Sequence, residues 1–146
     1  MSNDTSSPSP ALVDAPILSP DFPIPGDMDL VGSVRVPGAG GKLSLFKRGS
    51  EFSLRVHGTE LMNSRVHESE DALARLAASK LAGIASPVFL IGGLGMGYTL
   101  AAALKGLDAG AKVVVAELVS QVIAWNQGPL GHLAGHPLDD PRVALR

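Results

Sequence analysis

Residues Ser86–Leu104 read SPVFLIGGLGMGYTLAAAL, an apolar run interrupted by Pro87 and by glycines at 92, 93, 95 and 97. Three structures compete for it: a membrane span, a buried strand and helix joined by a plain turn, or a strand that turns on glycines to hold a nucleotide-like ligand. Length favours the span, because Leu81 to Leu104 carries no charge and roughly 20 apolar residues cross a ~30 Å bilayer core. Gly93 and Gly97 even share the GxxxG spacing of packed membrane helices. However, Pro87 and the glycines fall in the middle, a charged amphipathic segment precedes, and no second such run follows. The stretch therefore reads as strand, glycine turn and helix, and no membrane association is expected.

The flanking segments extend that reading. Upstream, ESEDALARLAASKLAG (Glu68–Gly83) places Glu68, Glu70 and Asp71 at the start of a helix and Lys80 and Gly83 at its end, the polarity that a helix dipole favours. Leu73, Leu76, Ala77 and Leu81 form its expected apolar stripe. Downstream, the β-branched run in AKVVVAEL predicts a buried strand, and VSQVIAWNQ predicts a helix stopped by Gly128-Pro129. Strand, helix, strand, helix in short succession is the pattern of parallel βαβ units.

Residues 29–66 differ. LVGSVRV, KLSLFK and FSLRV alternate apolar and polar positions between glycine-bearing turns, so three or four antiparallel strands are expected. Residues 1–28 hold six of the eleven prolines and many serines, a composition that predicts a disordered arm. The expected organisation is thus an arm (1–28), a small antiparallel β subdomain (29–66) and a Rossmann-like portion (67–146). In fold class this is an α/β protein with an incomplete Rossmann-like parallel sheet of the class I methyltransferase type.

With 146 residues, 45% hydrophobic and 18% charged, and a net charge of −2, the chain has no basic footprint for nucleic acid. It contains no cysteine, which excludes disulfides and thiolate metal sites. The first basic residue is Arg35, so no positively charged signal region opens the chain. A cytoplasmic location is the expectation.

Chemistry concentrates at the glycine turn. Gly93, Gly95 and Gly97 would let the backbone turn sharply and approach a ligand without a Cβ clash. The helix beginning near Tyr98 points its free N–H groups back at the turn. Glu117 ends the next strand, twenty positions after Gly97, where a βαβ nucleoside site places a carboxylate for the ribose hydroxyls. The spacing is G-x-G-x-G without the extra residue that seats a pyrophosphate, and the turn carries no Lys or Arg. An adenosyl sulfonium fits better than a dinucleotide.

Taken together, VFLIGGLGMGYTLAAAL, AKVVVAEL and DDPRV resemble the cofactor-binding half of class I S-adenosylmethionine-dependent transferases, and most closely the spermidine synthase (polyamine aminopropyltransferase) family. The family's glycine-rich turn falls on Gly93–Gly97, its acidic residue on Glu117 and its D-P-R on Asp140-Pro141-Arg142; His67-Glu68 match its His-Glu, with Val66 in place of tyrosine. The resemblance covers about residues 40–146. It implies binding of S-adenosylmethionine or its decarboxylated form, no metal, and aminopropyl transfer to a polyamine, with methyl transfer or non-catalytic nucleoside binding as alternatives and a homodimer as a conceivable assembly. Met96 stands where the family carries an acid inside the turn. The catalytic aspartate that the resemblance requires would lie beyond Arg146, so a fragment of low activity is expected and no catalytic residue is assigned.

Other residues have plainer expectations. His132 and His136 have i, i+4 spacing, but flanking Gly131, Gly135 and Pro137 make them loop histidines rather than metal ligands. His67 either orients a ligand or caps the helix that follows. Asp139 and Asp140 are turn residues before a strand. Trp125, Met62 and Met96 are packing residues.

Overall fold

The computed structural model describes residues 26–38 and 40–146; all but the last three residues of the expected arm lie outside them. Four strands come first: β1 (Asp29–Arg35), β2 (Lys42–Arg48), β3 (Glu51–Val56) and β4 (Thr59–Asn63), paired antiparallel in chain order. The β3–β4 hairpin turns on His57 and Gly58 with φ of 48° and 77°. Two successive positive φ values match the right-handed strand twist in a two-residue turn. The positions expected inward, Leu43, Leu45, Phe52 and Leu54, are all buried, and Phe46 and Ser53 at intervening positions are buried as well.

The second half contains α1 (Glu68–Ser79), β5 (Val88–Gly92), α2 (Tyr98–Gly106), β6 (Lys112–Ala116), α3 (Ser120–Gln127) and β7 (Val143–Leu145), with two short 3-10 turns at Gly131–Ala134 and Pro137–Asp139. The strands form a parallel sheet in the order β5-β6-β7, with Phe89 opposite Val113 and Ile91 opposite Val115. Those four side chains are buried and share one core with Leu45, Phe52, Leu100 and Trp125. This is the α/β architecture expected from the sequence. Among the described residues, no helix is long and apolar enough to cross a membrane.

Half of the stripe expected on α1 holds, since Ala77 and Leu81 are half-buried against the core, and half is corrected. Leu73 and Leu76 are 63% and 69% exposed, while Ala74 and Ala78 are buried. The reason is close helix approach. A Cβ on Gly106 of α2 would lie 3.2 Å from the Ala78 Cβ, so only small side chains fit between the helices and the leucines turn outward.

Two contacts tie the halves together near the turn. Trp125 packs on Gly32 at an irregularity in the β1–β2 pairing, where a Cβ would come 3.3 Å from the indole Nε1. The Tyr98 hydroxyl donates to the Ser64 carbonyl at 3.2 Å. At the other end of α2, Arg142 donates to the carbonyls of Leu104 and Leu107 at 3.0 and 2.9 Å and to that of Asp108 at 3.3 Å. A helix leaves its last carbonyls without intrahelical partners; the guanidinium satisfies one of these, at Leu104, and two carbonyls just past the helix, and so holds the entry to β7 against the C-terminal end of α2.

Candidate functional site

The carboxyl ends of β5, β6 and β7 lie along one edge of the parallel sheet, the edge where open α/β sheets bind ligands. The glycine turn leaves β5 there. Gly93 donates its N–H to the Ala116 carbonyl at 2.8 Å, pinning the start of the turn to β6. Gly93, Gly95 and Gly97 have φ of +84°, +56° and +84°, a region that side-chain-bearing residues avoid. Space adds a second constraint at two of them. A Cβ on Gly95 would sit 2.9 Å from the Met62 Sδ, and one on Gly97 would sit 3.0 Å from the Asn126 Oδ1 and 3.2 Å from the Pro137 Cγ. At Gly93 a Cβ would meet nothing within 4 Å. Leu94 and Met96 are buried between the glycines, so the turn is anchored in the core by its apolar residues. Gly97 precedes the first turn of α2 and supplies no side-chain cap, which leaves the leading N–H groups of that helix without a side-chain partner.

Glu117 follows β6 and reaches back to the turn. Its Oε2 accepts the Leu94 N–H at 2.7 Å, and its Oε1 accepts the Val119 N–H at 2.8 Å. The four residues singled out in the sequence, Gly93, Gly95, Gly97 and Glu117, therefore come together. Glu117 has a structural duty that sequence could not disclose, because its partners are backbone amides. Each carboxylate oxygen has two acceptor lone pairs, so both retain capacity for a further donor.

Asn126 on α3 was missed by the sequence reading. It is 2% exposed, and its Nδ2 donates to the Gly95 and Val122 carbonyls at 2.8 and 2.9 Å. The available signal was helical spacing: Val122, Trp125 and Asn126 stand at i, i+3 and i+4, which places an amide on the inward face.

Other candidates settle elsewhere. The His67 ring stacks on Tyr98, with centroids 4.0 Å apart and planes at 9°, and its Nδ1 lies 3.1 Å from the Asp71 Oδ2. It makes no side-chain cap bond to α1. It faces a trough of about 380 Å³ shared with Asp71, Lys105 and Leu133, which does not include the glycine turn. Burial pushes the Tyr98 phenol up, and the nearby Asp71 and Glu70 charges add to that. His132 meets Phe52 edge-on at 6.1 Å. Among the described residues, no cluster of His, Asp and Glu could hold a metal ion. Asp140 is engaged by Arg142, whose side chain and then backbone N–H hold the carboxyl below its ordinary range. A cavity of about 220 Å³ opens beside Gly92 and Gly93, lined by Leu73, Ala77, Leu90 and Thr99. Glu117 is not part of its wall.

No protein-family model matches the chain, and no curated protein matches it. Solved structures do. One is a spermidine synthase crystallised in complex with the transition state analogue AdoDATO, with a TM-score of 0.60 and 19% identity over 80% of this chain. This chain has a spermidine synthase-like fold. It covers 39% of that neighbour's chain, well under half its length.

Proposed function

We propose that this chain is the nucleoside-binding portion of an S-adenosyl-dependent transferase, taking S-adenosylmethionine or its decarboxylated form and serving aminopropyl transfer to a polyamine. One observation carries the reading. Glu117 is held by two backbone N–H groups beside the glycine turn at the carboxyl edge of the sheet, with lone pairs left for two ribose hydroxyls. The donor set suits the ligand. Gly93 has open space where a side chain would project, so a ligand can approach the backbone there. The Gly93, Leu94 and Gly97 amides of the turn already have protein partners, and the turn carries no cationic side chain for a phosphate.

In such a complex the sulfonium supplies the electrophilic carbon and a good leaving group. The work of this chain is then to hold the nucleoside and orient that carbon. Proton removal from an amine acceptor would need a free carboxylate or histidine near the turn. Asp140 is occupied by Arg142, and His67 faces another trough, so neither is given that role.

A second reading, transfer of another group to an uncharged acceptor, draws on Met62, whose thioether lies against Gly95 of the turn where a cationic acceptor would need a carboxylate.

Calorimetric titration tests the proposal, with S-adenosylmethionine, its decarboxylated form and methylthioadenosine as ligands and ATP as the control. Saturable binding of the adenosyl thioether and sulfonium ligands over ATP is expected, weakened at least about 100-fold by Glu117→Ala as two charge-assisted hydrogen bonds are lost. Equal binding by Glu117→Ala, or binding of ATP alone, would count against it.

A further inference from the structure

The structure assigns Asn126 as a positioning residue whose amide presets the conformation of the glycine turn; its binding arm rests on the function proposed above. Asn126 is almost fully buried. Both amide hydrogens are used, one on the Val122 carbonyl within its own helix and one on the Gly95 carbonyl 31 positions away in the turn. The orientation is fixed by those partners, since turning the amide over would set Oδ1 against two carbonyl oxygens. As placed, Oδ1 is buried and has no hydrogen-bond partner among the described residues.

That orphan acceptor carries the inference. A leucine would have nearly the same size and would bury no unpaired oxygen. Core packing alone thus gives no reason for an amide here, whereas the Gly95 carbonyl does. The turn has three residues with positive φ, and its Gly97 N–H bonds to the Leu94 carbonyl at 2.9 Å. The Asn126 donor fixes the peptide between those two ends from below. Ala134 and Pro137 complete the same floor under Gly97. A turn held this way meets a ligand without first being ordered, which is the gain of preorganisation.

Asn126→Leu and Asn126→Ala separate this role from plain packing. Three readouts are taken on each: urea midpoint, amide hydrogen exchange at Gly97 relative to Leu104 in α2, and affinity for methylthioadenosine. For Asn126→Leu the expected result is a folded protein with a urea midpoint close to wild type, because the loss of the orphan Oδ1 offsets the unpaired Gly95 carbonyl, with Gly97 exchange at least 10-fold faster relative to Leu104 and about 10-fold weaker ligand binding. Asn126→Ala, which leaves room for water, should show the same exchange and binding losses if the leucine variant fails to fold. Unchanged Gly97 exchange in a folded variant overturns the proposal, as does collapse of both variants, which would mark Asn126 as part of the core. If wild type binds no adenosyl ligand, the function proposed above fails, while accelerated Gly97 exchange would still establish the positioning role.

Discussion

Removing the Arg142 side chain should destabilise the protein by about 2 kcal/mol. The guanidinium makes two short bonds to the carbonyls of Leu104 and Leu107, a longer one to Asp108, and a forked pair with Asp140 at 3.0 and 2.8 Å. A hydrogen bond from a charged donor contributes about 1.5–3 kcal/mol net. The Arg142 and Asp140 side chains are 19% and 24% exposed, so solvent screening argues for the low end, or about 3 kcal/mol for the two short carbonyl bonds. Freeing a long side chain in Arg142→Ala returns up to about 2 kcal/mol of rotamer entropy, while loss of the forked pair with Asp140 adds to the loss. A net near 2 kcal/mol follows. Arg142→Lys cannot fork to three carbonyls and should lose about half as much. In urea, with a slope near 1–3 kcal/mol/M, the alanine variant should shift its midpoint down by about 1 M at unchanged slope. A shift below 0.3 M, or a lysine variant equal to wild type, would refute the capping account.

Two carboxylates give pH-dependent stability of known sign. The Ser53 hydroxyl, then the Asn63 amide and Arg55, hold Glu60 below its ordinary value, and Arg142 does the same for Asp140. A depressed pKa stabilises the fold above the unfolded value, about 4, and that contribution fades as pH falls through the folded value. Glu60→Gln should therefore be less stable than wild type at pH 7, and the gap should close on acidification below pH 4. Among the glycines, Gly97→Ala should cost more than Gly93→Ala. Both pay roughly 1–2 kcal/mol for a left-handed alanine, but only Gly97 also meets Asn126 and Pro137. Thermal or urea unfolding of the pair decides this, and equal losses would contradict the geometry. On α1, Leu73→Gln should change stability by less than about 0.5 kcal/mol, whereas Ala78→Leu should lose about 1–3 kcal/mol by overpacking against Gly106 of α2.

Much of this fold was legible because its signals are local. Period-two alternation marked the antiparallel strands through Leu43, Leu45, Phe52 and Leu54. The βαβ rhythm marked the parallel pair, and glycine at positions of positive φ marked the turn. Ala77 and Leu81 of the α1 stripe do pack on the core, but Leu73 and Leu76 face outward because hydrophobicity alone cannot register how closely α2 approaches at Ala78. At the site, residue type and spacing brought out the glycines and Glu117. What stayed hidden were contacts to backbone atoms: the Leu94 and Val119 amides on Glu117, the Gly95 carbonyl on Asn126 and the Leu104 and Leu107 carbonyls on Arg142. Every residue carries those atoms, so no side-chain pattern announces them.

The most direct measurement is an amide NMR titration of the full chain with methylthioadenosine. The Leu94 and Val119 N–H groups both report on the Glu117 carboxylate. The account predicts that these two and Gly93, Gly95 and Gly97 shift most, saturating together, and that Glu117→Ala abolishes the response. Shifts centred instead on His67, Lys105 and Leu133, or none at the glycine turn at millimolar ligand, would contradict it.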